Sequence, residues 1–173
     1  QSENVLITGG TGSLGHALVD ELKRRKTGRI VIFSRDELKQ AEMAAKHADC
    51  DNLRFFIGDV RDKDRLRRAF SSVTLVIHAA AMKRIQAAEY NPAEAVKTNV
   101  LGALNVVEAA LDTGVKRIMG ISTDKAAGPN TLYGACKLQM ERVFVHANNY
   151  VGPAGTSFAC VRYGNVFGSR GSV

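Results

Sequence analysis

Tyr133 and Lys137 stand four residues apart in Leu132-Tyr133-Gly134-Ala135-Cys136-Lys137, and Thr123 lies ten residues before Tyr133 in Ser122-Thr123-Asp124-Lys125-Ala126. Residues four apart on a helix share a face. A phenol with a pKa of about 10 is too weak a base at neutral pH, but an ammonium beside it favours the phenolate. Such a pair can take a proton from a hydroxyl whose carbon gives up hydride to an acceptor. A Tyr–Lys pair on an ordinary helix has the same spacing, so the chemistry needs an acceptor site in the same chain. Asp124-Lys125 sets an acid beside an amine; a solvated pair in a surface loop is the competing reading.

An acceptor site is written near the N-terminus. The run Val5-Leu6-Ile7-Thr8 passes directly into Gly9-Gly10-Thr11-Gly12-Ser13-Leu14-Gly15, which contains Gly10-x-Gly12-x-x-Gly15 and Gly9-x-x-Gly12-x-x-Gly15. One glycine makes the tight turn, a second lets backbone approach a pyrophosphate, and the last lets the helix pack close to the strand. The following helix start offers amide hydrogens and a positive dipole to phosphates. After a strand and before an amphipathic helix, this pattern specifies a dinucleotide site. Lys137 can then hold the nicotinamide ribose while Tyr133 handles the proton.

The residues ending the second strand select the dinucleotide. An acid there would take the ribose hydroxyls of NAD; here Ser34 stands in that place and Arg35 follows, with Lys39 close behind. A hydroxyl and a guanidinium suit a 2′-phosphate, so NADP is expected. NAD is the alternative, with Asp36 as the ribose acid. Gly58-Asp59-Val60 follows the third strand, where Asp59 can meet the adenine amine. Ala79-Ala80-Ala81 follow His78 and leave room for the cofactor, and His78 itself is expected to pack rather than react.

The elements that must carry these groups alternate. Strands are expected at 4–8, 29–33, 53–57, 73–78, 116–122 and 157–162, and helices at 13–25, 37–48, 63–70, 93–113 and 132–150. Continuous apolar strands suit a parallel sheet covered on both faces, and strict alternation points to a doubly wound α/β (Rossmann) fold. In the fourth helix Val96, Val100, Leu104 and Val107 form the expected core stripe, and Gly114 is a C-cap glycine. At 173 residues and 45% apolar, the chain can bury a core without staples and is not disordered. Lys and Arg total 24 against 17 Asp and Glu, giving +7. The charges cluster at Lys23–Lys26 and Arg61–Arg68 without interleaved aromatics, so solvated helix faces are expected and no nucleic acid. Cys50, Cys136 and Cys160 are odd in number and widely spaced, and the four histidines show no ligand spacing, so neither disulfide nor metal is expected. No apolar run approaches the roughly 20 residues of a membrane span, and with no signal peptide the cytoplasm is the expected compartment.

These motifs together resemble the extended short-chain dehydrogenase/reductase family, and most nearly the inverting UDP-N-acetylglucosamine 4,6-dehydratases of bacterial polysaccharide and flagellin-glycan biosynthesis. Beyond the glycine and Tyr–Lys motifs, the likeness rests on Ser34-Arg35-Asp36-Glu37-Leu38-Lys39, Ala88-Glu89-Tyr90-Asn91-Pro92, Lys97-Thr98-Asn99-Val100 and Ser122-Thr123-Asp124-Lys125-Ala126. Arg162-Tyr163-Gly164-Asn165-Val166 and Gly168-Ser169-Arg170-Gly171-Ser172 complete it. The resemblance implies that Lys125 is the C5 base, Asp124 the acid for departing water and Thr123 a donor to the C4 oxygen. It implies Lys83 and Thr98 on the cofactor or substrate side, Val166 at the cofactor, and Asn165 at the UDP-sugar. It further implies a homo-oligomer, and a cofactor domain over 1–173 that ends before a substrate domain. A 4-epimerase or reductase of the same superfamily would need no Asp–Lys pair; a non-catalytic dinucleotide-binding module is the third reading.

Overall fold

The computed structural model describes residues 3–152 and 155–166; Gly168 to Ser172 of the sequence motifs lie outside them. Six parallel strands form one sheet in the order β3-β2-β1-β4-β5-β6. They are β1 (Val5–Thr8), β2 (Ile30–Ser34), β3 (Leu53–Ile57), β4 (Leu75–His78), β5 (Arg117–Thr123) and β6 (Ser157–Tyr163). Each matches an expected strand within two residues at either end. The helices are α1 (Ser13–Arg24), α2 (Glu37–Lys46), α3 (Lys63–Ala69), α4 (Ile85–Tyr90), α5 (Pro92–Val96), α6 (Gly102–Thr113) and α7 (Leu132–Ala147).

Successive strand residues point to opposite faces, and both faces are apolar because both are covered. Val5, Ile7, Ile30 and Ile32 pack under Val19 and Leu22 of α1 and Met43 of α2. Leu6, Val31, Val76, Ile118 and Phe158 pack under α3, α6 and α7, chiefly Leu66, Val106, Val107, Met140 and Phe144. β1 is bonded to β2 on one edge and β4 on the other, so the loops after these strands diverge and open a crevice at their C-terminal ends.

The fourth expected helix is the main correction. Its backbone runs from Pro92 to Thr113, but Lys97–Leu101 form a π turn between α5 and α6. Its buried face is Ala95, Thr98, Asn99, Gly102, Ala103, Val106, Val107, Ala109 and Ala110, one residue out of step with the expected stripe. Val96 and Val100 are half-buried and Leu104 is exposed; Val107 alone is in the core. The cause is close packing: a Cβ on Gly102 would come 2.8 Å from Val60 Cγ2, so small side chains, not large ones, face inward. The short α4 is an addition the periodicity does not reveal. Gly114 caps α6 with φ 69° as expected. The basic clusters are tied locally: Lys23 to Asp49, Arg24 and Arg25 to Glu21, Arg61 to Asp59 and Glu94, Arg67 to Asp64 and Asp112. No helix among the described residues is long and apolar enough to cross a membrane.

This inward face predicts opposite responses at neighbouring positions. Ala103→Leu should cost about 1–3 kcal/mol by overpacking, whereas Leu104→Ala should cost under about 1 kcal/mol. Urea denaturation of the two variants measures both, and the reverse order would restore the Val96–Val100–Leu104 face.

Candidate functional site

The crevice begins at the turn after β1. Gly9 has φ +66°, and a Cβ there would lie 2.8 Å from the Cα of Ala80, so the loops after β1 and β4 touch backbone to backbone. Gly9 N–H donates to Phe33 O at 2.8 Å and Gly12 N–H to Gly9 O at 3.1 Å. Gly10 and Gly15 are buried against each other, the carbonyl of Gly10 occupying the space a Gly15 Cβ would need. The third glycine thus packs helix against turn rather than helix against strand. Gly12, the N-cap of α1, offers no side chain to the first turn, which leaves that helix end suited to an anion. Gly9, Thr11, Gly12 and Ser13 line a cleft of about 560 Å³. Leu14, half-buried, is not on its wall.

The far end of the cleft is polar and mostly cationic. Ser34 is buried, and its Oγ and carbonyl accept from Gln40 Nε2 at 3.0 and 3.1 Å. Asp36 caps α2, accepting from Lys39 N–H at 3.0 Å, and its other oxygen pairs with Lys39 Nζ at 2.7 Å. The Lys39 side chain, helped by the backbone amide, holds the Asp36 carboxyl below its ordinary value. Arg35 reaches over the cleft, 62% exposed, with Nη1 3.5 Å from Asp59 Oδ2. Burial works to raise the Asp59 carboxyl, but hydrogen bonds from Arg61 outweigh it and keep it low. Arg61 donates to Asp59 through its amide (2.9 Å), Nε (3.0 Å) and Nη2 (2.7 Å), so the acid expected at the adenine is already engaged. Val60 lines the cleft beside it.

Ala80, Ala81 and Lys83 form the wall after β4, while Ala79 lies behind it, its amide donating to Thr8 O at 3.2 Å. Asn99, 2% exposed on the π turn, fixes this loop: Met82 N–H donates to its Oδ1 at 2.8 Å and its Nδ2 donates to Met82 O at 2.9 Å. Thr98, the adjacent π-turn residue, reaches the cleft. His16 and Arg84 also line it and escaped the sequence reading, although each directly follows a residue singled out there, Gly15 and Lys83. His78 is fully buried, shares a 2.8 Å hydrogen bond with Thr8 Oγ1 and packs on Phe144 at 5.7 Å. Burial drops its pKa to about 3, and it packs as expected.

A second cluster forms where β5, α7 and β6 meet, beyond the cleft walls. Thr123 ends β5, donates to Asp124 Oδ1 at 2.9 Å and accepts from Lys125 N–H at 3.3 Å, capping a 3₁₀ turn over Asp124–Ala126. Lys125 Nζ donates to Asp124 Oδ1 at 3.3 Å and Asn165 Oδ1 at 3.2 Å. Thr131 caps α7, accepting from Gly134 N–H at 3.1 Å, and a Cβ on Gly134 would strike Lys125 O. The helix start therefore sits on the 3₁₀ turn, with the Thr123 hydroxyl near enough to Tyr133 to favour its phenolate. Val166, exposed, lies off the cleft. Cys50, Cys136 and Cys160 are free thiols, and the described residues hold no metal-binding cluster.

The Tyr133–Lys137 pair differs from the simple expectation. Burial, with the Tyr163 phenol, raises the Tyr133 hydroxyl rather than lowering it. Lys137 is 3% exposed and points inward, Nζ 3.3 Å from Met140 Sδ. Desolvation lowers its pKa to about 8, opposed by Cys160 and Glu141. One turn further along α7, Glu141 is held by Arg162 and Ser122; four-residue spacing from Lys137 is the signal that could have marked it.

The family described as polysaccharide biosynthesis protein matches residues 5–173. A UDP-N-acetylglucosamine 4,6-dehydratase (inverting) of Campylobacter jejuni is 55% identical over 173 residues, covering 99% of this chain and 51% of that protein. The solved structure of Pen from Bacillus thuringiensis matches with a TM-score of 0.96 at 42% identity, over 100% of this chain and 53% of that one. The UDP-glucose 4-epimerase of Thermus thermophilus, solved as a complex with NAD, matches with a TM-score of 0.80 at 28% identity, over 96% and 57%. This chain spans about half the length of the relatives it matches. The glycine turn at the sheet's crevice, the Tyr–Lys helix and a match along nearly the whole chain lead to one conclusion: it belongs to the polysaccharide biosynthesis protein family, within the extended short-chain dehydrogenase/reductases.

Proposed function

We propose that this chain is the cofactor-binding half of an NADP-dependent enzyme that removes water across C5 and C6 of UDP-N-acetylglucosamine, with inversion at C5. The observation that carries the reading is the Asp124–Lys125 pair, 3.3 Å apart on a turn whose neighbour Thr123 stands beside Tyr133. Exchange of hydroxyl configuration alone needs only Thr123 and Tyr133; an acid–amine pair beside them is what an elimination adds.

Gly9, Thr11, Gly12 and Ser13 would hold the pyrophosphate, and Arg35 with Lys39 the 2′-phosphate. The NAD alternative is weaker because the Asp36 carboxylate is already committed to Lys39. Bound NADP supplies reversible hydride transfer. Tyr133 takes the C4 hydroxyl proton while Thr123 donates to that oxygen. A phenol raised by burial needs a cation to act as a base, which Lys137 supplies by swinging its four-carbon stem from Met140 toward Tyr133 and the nicotinamide ribose. With C4 at the ketone level the C5 proton is acidic. Once the ion-pair proton passes from Lys125 to Asp124, Lys125 removes the C5 proton and Asp124 protonates the departing C6 hydroxyl. The hydride taken from C4 would then return to C6 and a proton reach the opposite face of C5, leaving the 4-keto-6-deoxy sugar inverted at C5 and the cofactor in its starting form. Asn165 orients Lys125 and meets the UDP-sugar, with Lys83 and Thr98 at the cofactor's edge. The placing of Thr123 beside Tyr133 also suits a 4-epimerase, and loss of water from the UDP-sugar separates the two.

Three outcomes test these assignments. Arg35→Ala should weaken NADP about tenfold, or ~1.4 kcal/mol, and leave NAD within about twofold, as read by titration calorimetry; an equal loss for both would return the choice to Asp36. A chimaera of this chain with the C-terminal half of the Campylobacter jejuni relative should exchange the sugar's C5 hydrogen in deuterium oxide, and Lys125→Ala should abolish that exchange without altering cofactor affinity. Lys137 also makes stability pH-dependent. Its pKa falls from 10.5 to about 8 on folding, so the unfolded chain binds the proton more tightly and stability rises between those values by up to ~3 kcal/mol. Lys137→Met should flatten that rise and lift the urea midpoint at pH 7; parallel pH profiles for the two proteins would contradict it.

A further inference from the structure

Glu141 is 8% exposed and is gripped from two strands at once. Arg162 of β6 donates through Nε to Oε1 at 2.8 Å and through Nη2 to Oε2 at 2.6 Å, and the Ser122 hydroxyl of β5 donates to Oε1. Ser122 and Arg162 are cross-strand partners, and each precedes a working residue. Ser122 is followed by Thr123; Arg162 leads through Tyr163 and Gly164 to Asn165, whose amide oxygen accepts from Lys125 Nζ at 3.2 Å. Glu141 itself rides on α7, the helix of Tyr133 and Lys137. One carboxylate therefore joins the three segments that supply the reacting groups. A guanidinium–carboxylate fork is planar and directional, so it resists sliding of β6 along α7 far better than apolar packing would.

We propose that Glu141 is a positioning residue of the site, fixing the ends of β5 and β6 against α7 so that Thr123 and the Asn165–Lys125 pair meet Tyr133. The inference rests on the reading of Tyr133 and Lys137 as the nicotinamide-ribose end. Its effect is confined to that end, because the adenosine end is built from the loops after β1, β2 and β3, which Glu141 does not touch. Its negative charge also favours the ammonium form of buried Lys137.

The test compares NADP with 2′,5′-ADP, which carries the adenosine end and no nicotinamide, as ligands of the 173-residue chain. Glu141→Gln keeps the shape but removes the charge, and Arg162→Lys keeps the charge but removes the fork. Each should weaken NADP about tenfold while holding 2′,5′-ADP within about twofold, since small misplacement of a contacting group costs on that order. A merely structural role would lower the melting temperature without this split. Equal losses for both ligands, no loss for either, or failure of both variants to fold would overturn the proposal. A parent chain that binds neither ligand would instead remove the dinucleotide reading itself, and the inference with it.

Discussion

The approach of Gly9 to Ala80 is the constraint on which the rest of the site depends. β1 lies between β2 and β4, and the loops leaving β1 and β4 cross at a distance that leaves no room for a side chain at position 9. With a Cβ there, one of the loops would have to lift. The first would carry the N-terminus of α1 away from the cleft, and the second would carry Ala81 and Lys83. Two further holding devices at the cleft act on segments already set by this contact: Asn99 pins Met82 in the second loop, and Gly15 seats α1 on the first.

Electrostatics divide the site into two regions of different character. At the cleft the ligand-facing carboxylates are engaged, Asp36 by Lys39 and Asp59 by Arg61, so cationic groups such as Arg35 dominate the open surface. At the β5–α7–β6 junction burial governs instead, raising the Tyr133 phenol and lowering the Lys137 ammonium. Both shifts favour the neutral forms, so the phenolate–ammonium pair is disfavoured while the two groups stay apart and buried, and bringing the Lys137 cation to the phenol is what would reverse this. The chain's +7 thus says little by itself: Arg24, Arg25 and Arg67 answer nearby acids, while Arg35, Lys39, Lys83 and Arg84 line the cleft.

The fold and the cleft were largely legible because their signals are local. Strand runs of Val and Ile, a glycine run between strand and helix, and Gly114 at a helix end each reflect backbone requirements that few residue types meet. Most of the cleft-wall residues came from the same logic, position after a strand, whereas Lys83 and Thr98 came only from the family resemblance. What escaped depends on tertiary contact. Hydrophobicity alone ranks Leu104 above Ala103, and only the close pass of α6 over Val60 reverses them. The inward turn of Lys137 follows from burial that no spacing rule contains, and Glu141 looks like a helix-surface acid until Arg162 arrives from a strand twenty-one residues later.

The π turn carries a consequence for what this helix can tolerate. A π turn is an α-helix holding one extra residue, with regular helix resuming on both sides. Removing one residue between Lys97 and Leu101 would therefore restore an unbroken helix and leave the packing faces of α5 and α6 in register. What would vanish is the second of two consecutive inward side chains, Thr98 toward the cleft or Asn99 toward Met82. Here the polypeptide keeps a residue that its architecture could do without, so length at this point is a property of the cleft wall and not of the scaffold.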